Sequence, residues 1–172
     1  MATPNPAHYA LSEMEQLGLL KYIITQNVDN LHYQAGSVNV AEIHGNRNML
    51  RCILCNLRWP KHGFDISTIP PRCQGCGGLI KADTVSFGEP IPQDVLQLCY
   101  KEVAMCDVMV VVGTSALVYP AAALPKMAAA AGSHLIEINT ENTPLTEMCS
   151  YVLHDSASVI LPTLVRHLSS IS

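Results

Sequence analysis

The sequence has little charge, few aromatic side chains and no long apolar run. Of its 172 residues, 14% are charged and 5% are aromatic, and 10 basic against 14 acidic residues leave a formal net charge of −4. Proteins that bind nucleic acid or anionic membranes carry a basic excess, so this balance predicts neither partner. An uncharged apolar run of about 18 residues, which a membrane span needs, is lacking. The first residues also lack the basic flank and apolar stretch of a signal peptide.

Cysteine, by contrast, is abundant. The chain carries seven cysteines, an odd number, and four of them form two Cys-x-x-Cys pairs. A secreted disulfide framework favours an even count in a shorter chain, whereas two such pairs indicate a metal site. The pattern therefore predicts a reducing compartment. We expect the cytoplasm, with the nucleus as the alternative, and one domain or one domain with a small insert.

Short apolar runs alternate with helical patterns along most of the chain. The clearest is 107–113, whose continuous β-branched residues are typical of a parallel strand covered on both faces. Further strands are predicted at 22–25, 134–139 and 151–153, and helices at 8–20, 92–105, 121–131 and 160–168. Strand–helix–strand alternation of this kind predicts an α/β fold built on an open parallel sheet.

Residues 46–84 interrupt this pattern, because Arg, Asn, Gly and Pro are dense there and periodicity is weak. We expect an insert without an apolar core of its own. Its four cysteines have the spacing of a zinc site, in which two knuckles supply four thiolates and leave no open position on the metal. They are Cys52, Cys55, Cys73 and Cys76. Gly75, Gly77 and Gly78 should supply the positive φ that a knuckle needs. The alternatives are a redox pair and four unrelated thiols.

Polar side chains follow the first predicted strand. Residues 25–32 bring amides, a carboxylate and a histidine to a strand's carboxyl end, where open α/β sheets bind ligands. The alternative is an ordinary turn whose Asn and Asp residues cap a helix. His44, in the run Glu-Ile-His-Gly, is a candidate catalytic residue or a structural histidine. Gly45 would allow a ligand or a backbone segment to approach it closely.

Two further turns suit a nucleotide. Residues 113–115 (Gly-Thr-Ser) follow the strongest strand, where backbone amides can hold phosphate. Residues 139–141 (Asn-Thr-Glu) end the next strand, where nucleotide-binding folds place a ribose-binding acid. Each turn taken alone is also compatible with ordinary loop chemistry, so the nucleotide prediction depends on the two together.

The order of these motifs resembles the sirtuin family, whose members are NAD-dependent protein deacylases. The matching segments are T-Q-N-V-D-N-L-H, E-I-H-G, the paired C-x-x-C, S-F-G-E, V-V-G-T-S-A-L-V-Y-P and I-N-T-E. The resemblance implies a Rossmann-like NAD-binding lobe made of residues 1–45 and 85–172, with a zinc-binding lobe at 46–84. It also implies structural Zn2+, NAD as a co-substrate and an acyl-lysine protein or peptide as partner.

The resemblance carries roles to single residues. It implies His44 as the catalytic base, with Asn27 positioning ribose or water. The residues around nicotinamide would be Gln26, Asn27 and Asp29. The remaining cofactor-binding residues would be Gly113, Thr114, Ser115, Asn139, Thr140, Glu141 and Ala157. The zinc ligands would be Cys52, Cys55, Cys73 and Cys76. The peptide would pair with a strand at Val85, Phe87 and Gly88, with Val118 on the opposite side.

The sequence also departs from the sirtuin pattern. The family's opening strand, its G-A-G-I-S loop and its P-D-F-R segment have no counterpart here. We therefore expect a parallel sheet that is incomplete at its N-terminal side, self-association through that sheet, and little turnover by these 172 residues alone. The predicted reaction is lysine deacylation with release of nicotinamide and O-acyl-ADP-ribose. The alternatives are an inactive module that binds zinc and ADP-ribose, and a protein ADP-ribosyltransferase.

Overall fold

The structure, a computed structural model, describes residues 2–66 and 68–170. Its α-helices are α1 (Pro6–Gln16), α2 (Leu31–Gln34), α3 (Gln93–Met105), α4 (Leu124–Ala130) and α5 (Ala157–Ser169). Its strands are β1 (Ile23–Thr25), β2 (Val40–Glu42), β3 (Gly45–Cys52), β4 (Arg58–Pro60), β5 (Ile80–Thr84), β6 (Val108–Val112), β7 (His134–Asn139) and β8 (Tyr151–His154). Among the described residues, no helix has the length and apolar character needed to cross a bilayer.

The chain divides into two compact units. The sheet unit comprises Met1–Ile23, Leu31–Ala41 and Gln97–Ser172, and the cysteine unit comprises Ile24–Asn30 and Glu42–Leu96. The polar loop after β1 and the histidine before β3 thus belong to the same unit as the four paired cysteines. The lobe boundaries that the family resemblance implies stay a prediction.

The sheet unit is built on a parallel sheet with the strand order β6–β7–β8. Val108 lies opposite His134 in β7, and Ile136 lies opposite Tyr151 in β8. The predicted parallel α/β arrangement is therefore confirmed. β1 does not join this sheet, since it pairs with β2, a strand that the sequence does not predict. The side chains of β6, an edge strand, are also less buried than predicted, since Val111 is the one residue of this strand that is buried.

Helices α1 and α5 close one apolar cluster of the sheet unit. Ala7, Ala10 and Met14 are spaced by three and four residues, so they share one face of α1. They are buried in the same cluster as Leu161 and Val165 of α5. Ile138 of β7 completes the buried set, and Val110 and Val112 of β6 pack against it. Removing these side chains from water is the main force that holds the two helices on the sheet.

Capping side chains move helix boundaries from their predicted positions. α1 begins at Pro6 rather than His8, because Asn5 Oδ1 accepts hydrogen bonds from the N–H groups of Ala7 (3.0 Å) and His8 (3.2 Å). α5 likewise begins earlier than predicted, at Ala157, after a serine N-cap. In both helices the backbone hydrogen bonds begin before the apolar periodicity from which the helix start was predicted.

The predicted helix at 121–131 is divided. A 3₁₀ turn at Ala121–Ala123 precedes α4. Pro125 has no N–H group to donate to the carbonyl four residues earlier, so an α-helical bond cannot form there. Instead, the N–H of Leu124 donates to Ala121 O, which is the shorter-range bond of a 3₁₀ turn.

The cysteine unit contains an antiparallel sheet with the order β4–β3–β5. In the centre of this sheet, Arg51 lies opposite Arg58 in β4 and Lys81 in β5. The sequence does not predict these strands, because their polar residues show no clear alternation. The unit also has a small apolar cluster, so the expectation that this segment lacks a core is wrong. The cluster comprises Cys52, Cys73 and Ile80, with Leu50, Trp59 and Phe64 packed against them.

A buried carboxylate fixes this sheet. Arg51 Nε lies 2.8 Å from Asp83 Oδ1, and Arg58 Nε lies 2.9 Å from Asp83 Oδ2. The side chains of Arg51 and Asp83 are only 6% and 7% exposed. Like charges that face each other across neighbouring strands repel. The Asp83 carboxylate therefore bridges the cross-strand pair of arginines and reduces their repulsion.

Asp83→Ala should lower the free energy of unfolding by about 3 kcal/mol, because it removes the nearest and most buried counter-ion of the Arg51 guanidinium. Asp94→Ala is the matched control: Asp94 Oδ2 lies 2.9 Å from Arg58 NH1, but its side chain is 50% exposed. The control should cost about 1 kcal/mol or less. Urea denaturation followed by the fluorescence of Trp59, the single tryptophan, measures both. Equal losses for the two variants would contradict a special role for Asp83.

Candidate active site and metal centre

The four paired cysteines form one cluster. Their Sγ atoms all lie within 4.8 Å of one another. The shortest contacts run between the two knuckles, with Cys52 Sγ 3.4 Å from Cys76 Sγ and Cys55 Sγ 3.8 Å from Cys73 Sγ. A tetrahedral zinc ion with Zn–S bonds of about 2.3 Å places its sulfur ligands about 3.8 Å apart. The cysteines therefore fit a structural zinc ion, and contacts across the knuckles disfavour a redox pair within one of them.

The Cys52 and Cys76 thiols of this cluster have opposite pKa shifts. Burial raises the pKa of Cys52, but hydrogen bonds from the N–H groups of Cys55 and Leu54 outweigh it and lower this pKa to about 6. The N–H of Gly78 lowers the pKa of Cys76, whereas the neighbouring Cys52 sulfur raises it, and the result is about 12. The Cys52 thiolate thus forms readily, and its negative charge opposes ionisation of Cys76. A divalent metal ion would balance the negative charges of the two thiolates.

The glycines of the second knuckle act differently from one another. Gly77 has φ +74, as predicted, whereas Gly75 and Gly78 do not have a positive φ. Gly78 is instead required for space, because a Cβ atom there would come within 2.8 Å of Cys52 Sγ. The expectation that all three glycines supply positive φ is therefore wrong for two of them.

The polar loop after β1 is held in place by backbone and side-chain hydrogen bonds. Thr25 Oγ1 accepts from the N–H of Asn27 at 3.1 Å, and Val28 O accepts from the N–H of Arg47 at 3.0 Å. The predicted cofactor-binding residues Gln26, Asn27 and Asp29 thus lie on a segment that β3 anchors. Gln26 and Asp29 are half-buried, and Asn27 is exposed.

Asn46 and Glu42 lie beside this loop, and neither is predicted from the sequence to have a role. The buried Asn46 side chain donates through Nδ2 to Asn30 Oδ1 at 2.8 Å and to Glu42 Oε1 at 2.8 Å. Burial raises the pKa of Glu42, the charges of Asp83 and Asp29 raise it further, and the Asn46 amide opposes them. The one sequence feature that could have indicated them is that Glu42 and Asn46 flank the run Ile-His-Gly. That pattern does not show that Asn46 is buried.

His44 lies beside the polar loop. Its imidazole is half-buried, and Nδ1 lies 3.3 Å from Gln26 O. A proton on Nδ1 satisfies this contact and leaves Nε2 as the basic nitrogen. Gly45 has φ +81, and a Cβ atom there would lie 2.0 Å from Asp83 O. The predicted close approach beside His44 is therefore made by the backbone of β5, and Val85 N–H donates to His44 O at 2.9 Å.

The two predicted nucleotide turns lie together in the sheet unit. Asn139 Nδ2 donates to Thr114 O at 3.0 Å, and Asn139 Oδ1 accepts from the N–H of Thr140 at 2.9 Å. Thr114 Oγ1 accepts from the N–H of Ala116 at 3.2 Å. Asn139 thus holds the turn after β6 against the turn after β7. The other predicted residues of these turns are Gly113, Ser115 and Glu141, with Ala157 as the first residue of α5.

The segment predicted to pair with a peptide is not a strand. β5 ends at Thr84, and the N–H of Glu89 donates to Ser86 O at 2.9 Å. Gly88 has φ +80 at the third position of this turn, where type II turns need a positive φ. Phe87, at the second position, is fully exposed. Val118, the proposed opposite side, lies in the sheet unit and is 41% exposed.

The chain matches the Sir2 family over residues 1–120. It is 45% identical over 171 residues to NAD-dependent protein deacylase 1 of Archaeoglobus fulgidus, covering 96% of this chain and 68% of the relative. A crystal structure of a Sir2 homologue–NAD complex gives a TM-score of 0.86 at 44% identity, over 99% of this chain and 66% of that one. A Sir2–p53 peptide–NAD+ structure gives 0.81 at 34% identity, over 99% and 72%. The chain therefore belongs to the Sir2 family.

These likenesses confirm the family that the order of the motifs indicated. They also confirm the predicted α/β fold with its four-cysteine site. They confirm as well the prediction that the chain belongs to the class of NAD-dependent protein deacylases. The roles of single residues stay predictions. Within the cysteine unit the structure brings His44 together with Gln26, and within the sheet unit it brings Asn139 together with Thr114.

Removal of zinc with a strong chelator should unfold the cysteine unit, because structural zinc sites contribute roughly 10 kcal/mol or more to folding. Trp59 belongs to the same apolar cluster as Cys52 and Cys73, so its fluorescence and the protease resistance of the unit should both change. Cys55→Ser should abolish zinc binding, whereas Cys106→Ser, outside the cluster, should retain a single zinc ion. Unchanged fluorescence after complete metal removal would contradict a structural role.

Proposed function

We infer that this Sir2 family chain is an NAD-dependent protein-lysine deacylase in which His44 is the general base. One observation carries this inference: His44 is held at 3.3 Å from Gln26 O, on the loop that the family resemblance assigns to nicotinamide. Histidine is the side chain most often used to move protons at neutral pH. A buried amide, Asn46, fixes the other end of the same loop.

The proposed reaction consumes NAD. The acyl oxygen of the substrate lysine displaces nicotinamide from C1′ of the ribose. His44 takes the proton of a ribose hydroxyl, and the hydroxyl oxygen then attacks the imidate carbon. Water completes the reaction, so that acyl-lysine, NAD and water yield lysine, nicotinamide and O-acyl-ADP-ribose. Asp29 would bind the nicotinamide amide, Gln26 would lie near the nicotinamide and its ribose, and the exposed Asn27 would position ribose or water.

The sheet unit is proposed to bind the rest of NAD. The Gly113 N–H donates to Ile138 O at 3.0 Å, so the backbone of the following residues of this turn would hold phosphate, with the hydroxyls of Thr114 and Ser115 in support. Glu141 and Thr140 would contact the adenosine ribose, and the backbone of Ala157 would contact adenine. Asn139 is proposed to contact the same ribose, because the bonds to Thr114 O and the N–H of Thr140 leave one Nδ2 hydrogen and one Oδ1 lone pair for a ligand.

Zinc is proposed to take no part in the chemistry. Four cysteine ligands leave no open coordination position for water or substrate, unlike the sites of zinc hydrolases. The ion would instead supply stability to a unit whose apolar cluster is small.

The acyl-lysine substrate is proposed to bind beside the Ser86–Glu89 turn. The exposed Phe87 and Gly88 would meet the peptide, together with Val85 and, in the sheet unit, Val118. Main-chain hydrogen bonds to an extended peptide give affinity without demanding one sequence. The structure of a Sir2 protein with a p53 peptide and NAD+ supports a peptide as the substrate.

Intact-mass spectrometry of an acetyl-lysine peptide, incubated with NAD and the protein expressed from its complete gene, tests the function. A peptide that loses the mass of its acetyl group, with release of nicotinamide, is the expected result. A protein that gains the mass of ADP-ribose would indicate an ADP-ribosyltransferase instead. No change in either mass would indicate a binding module.

His44→Ala should reduce deacylation by about 100-fold or more, which is the usual contribution of a general base. His62→Ala is the matched control, because His62 is an exposed histidine of the same unit. Zinc content and the thermal melting point should be unchanged in both variants. Near-normal formation of deacylated peptide and O-acyl-ADP-ribose by His44→Ala would exclude His44 as the base, because nicotinamide leaves before the base acts.

A further inference from the structure

Glu89 closes the S-F-G-E motif, and the roles proposed above use only Phe87 and Gly88 of that motif. The Glu89 carboxylate accepts a hydrogen bond from the N–H of Ser86 at 3.0 Å, while its own N–H donates to Ser86 O at 2.9 Å. Glu89 therefore closes the turn twice, once with its backbone and once with its side chain.

Two cations hold the same carboxylate. Arg51 NH2 lies 3.2 Å from Glu89 Oε1, and Lys81 Nζ is paired with Glu89 Oε2. Lys81 Nζ also donates to Thr84 O at 2.8 Å, at the end of β5. Arg51 is itself fixed by Asp83, and its side chain is only 6% exposed. The hydrogen bond from the Lys81 ammonium lowers the pKa of Glu89 below its usual value.

These links are the main restraint on the turn. Ser86, Phe87 and Gly88 are all exposed, so apolar packing does not hold them. Charge-assisted hydrogen bonds to a carboxylate are stronger than neutral ones, and two cations on separate strands fix its position. A loop that is already ordered also loses less conformational entropy when a ligand binds.

We propose that Glu89 is a positioning residue for peptide recognition, whose carboxylate, held by Arg51 and Lys81, fixes the Ser86–Glu89 turn and presents Phe87 to the acyl-lysine peptide. The inference rests on the proposed function, because it takes this turn to be the peptide site. Glu89 itself touches neither the acyl group nor NAD in this role.

Glu89→Ala should raise KM for an acetyl-lysine peptide by about tenfold, since misplaced contact groups weaken binding without removing the chemistry. KM for NAD should stay within about twofold, and zinc content should not change. Hydrogen exchange at the Ser86 amide should become faster, because its acceptor is lost. Glu89→Gln should recover part of the peptide affinity, since an amide oxygen can still accept from Ser86. Glu13→Ala, which removes an exposed glutamate of α1, is the control and should change neither KM.

Phe87→Ala distinguishes an error in the proposed peptide site from an error in the role of Glu89. The fully exposed ring can be removed without disturbing the fold. If Phe87→Ala leaves KM for the peptide unchanged, the proposed peptide site is wrong. If Phe87→Ala raises that KM and Glu89→Ala does not, only the positioning role is wrong. If Glu89→Ala raises KM for the peptide and KM for NAD equally, the positioning role is also wrong. Should Glu89→Ala fail to fold, Lys81→Met tests the same link and should again weaken peptide binding alone.

Discussion

The register of β3 against β5 is the constraint on which the cysteine unit depends. His44 directly precedes β3, and Cys52 ends it, so the proposed base and the first metal ligand lie at the two ends of one strand. Asp83 fixes both ends from β5: its carboxylate binds Arg51, and its carbonyl oxygen lies against Gly45. A shift of one residue would turn every side chain of β3 to the other face. Such a shift would separate Cys52 from the other thiols and Arg51 from its counter-ion together.

The features that the sequence predicted well are those in which one local pattern determines the structure. The spacing of the two Cys-x-x-Cys pairs identified the thiol cluster, because zinc accepts few arrangements of four sulfurs. The continuous apolar run of β6 identified a parallel strand, and β7 was predicted with its observed bounds of His134–Asn139. The family came from the order of the motifs, and the relatives confirm it.

The features that the sequence missed depend on contacts between distant residues. The sheet of the cysteine unit is set by ion pairs such as Arg51–Asp83 and by a close backbone approach at Gly45, neither of which produces apolar alternation. Asn46 looks like a loop residue until the fold buries it against Glu42. Helix starts were misplaced for a related reason, since a cap such as Asn5 lies before the apolar periodicity begins.

A buried or half-buried asparagine holds the polar loops of each unit, and this choice of side chain has a chemical consequence. Asn46 fixes the loop after β1 in the cysteine unit, and Asn139 joins the two turns of the sheet unit. An amide offers a donor and an acceptor without net charge, so it can satisfy buried carbonyl groups without competing for an anionic ligand. A lysine or arginine in either place would bring a positive charge that attracts phosphate away from the backbone N–H groups. Neutral anchors would therefore leave the proposed recognition of NAD to the turns themselves.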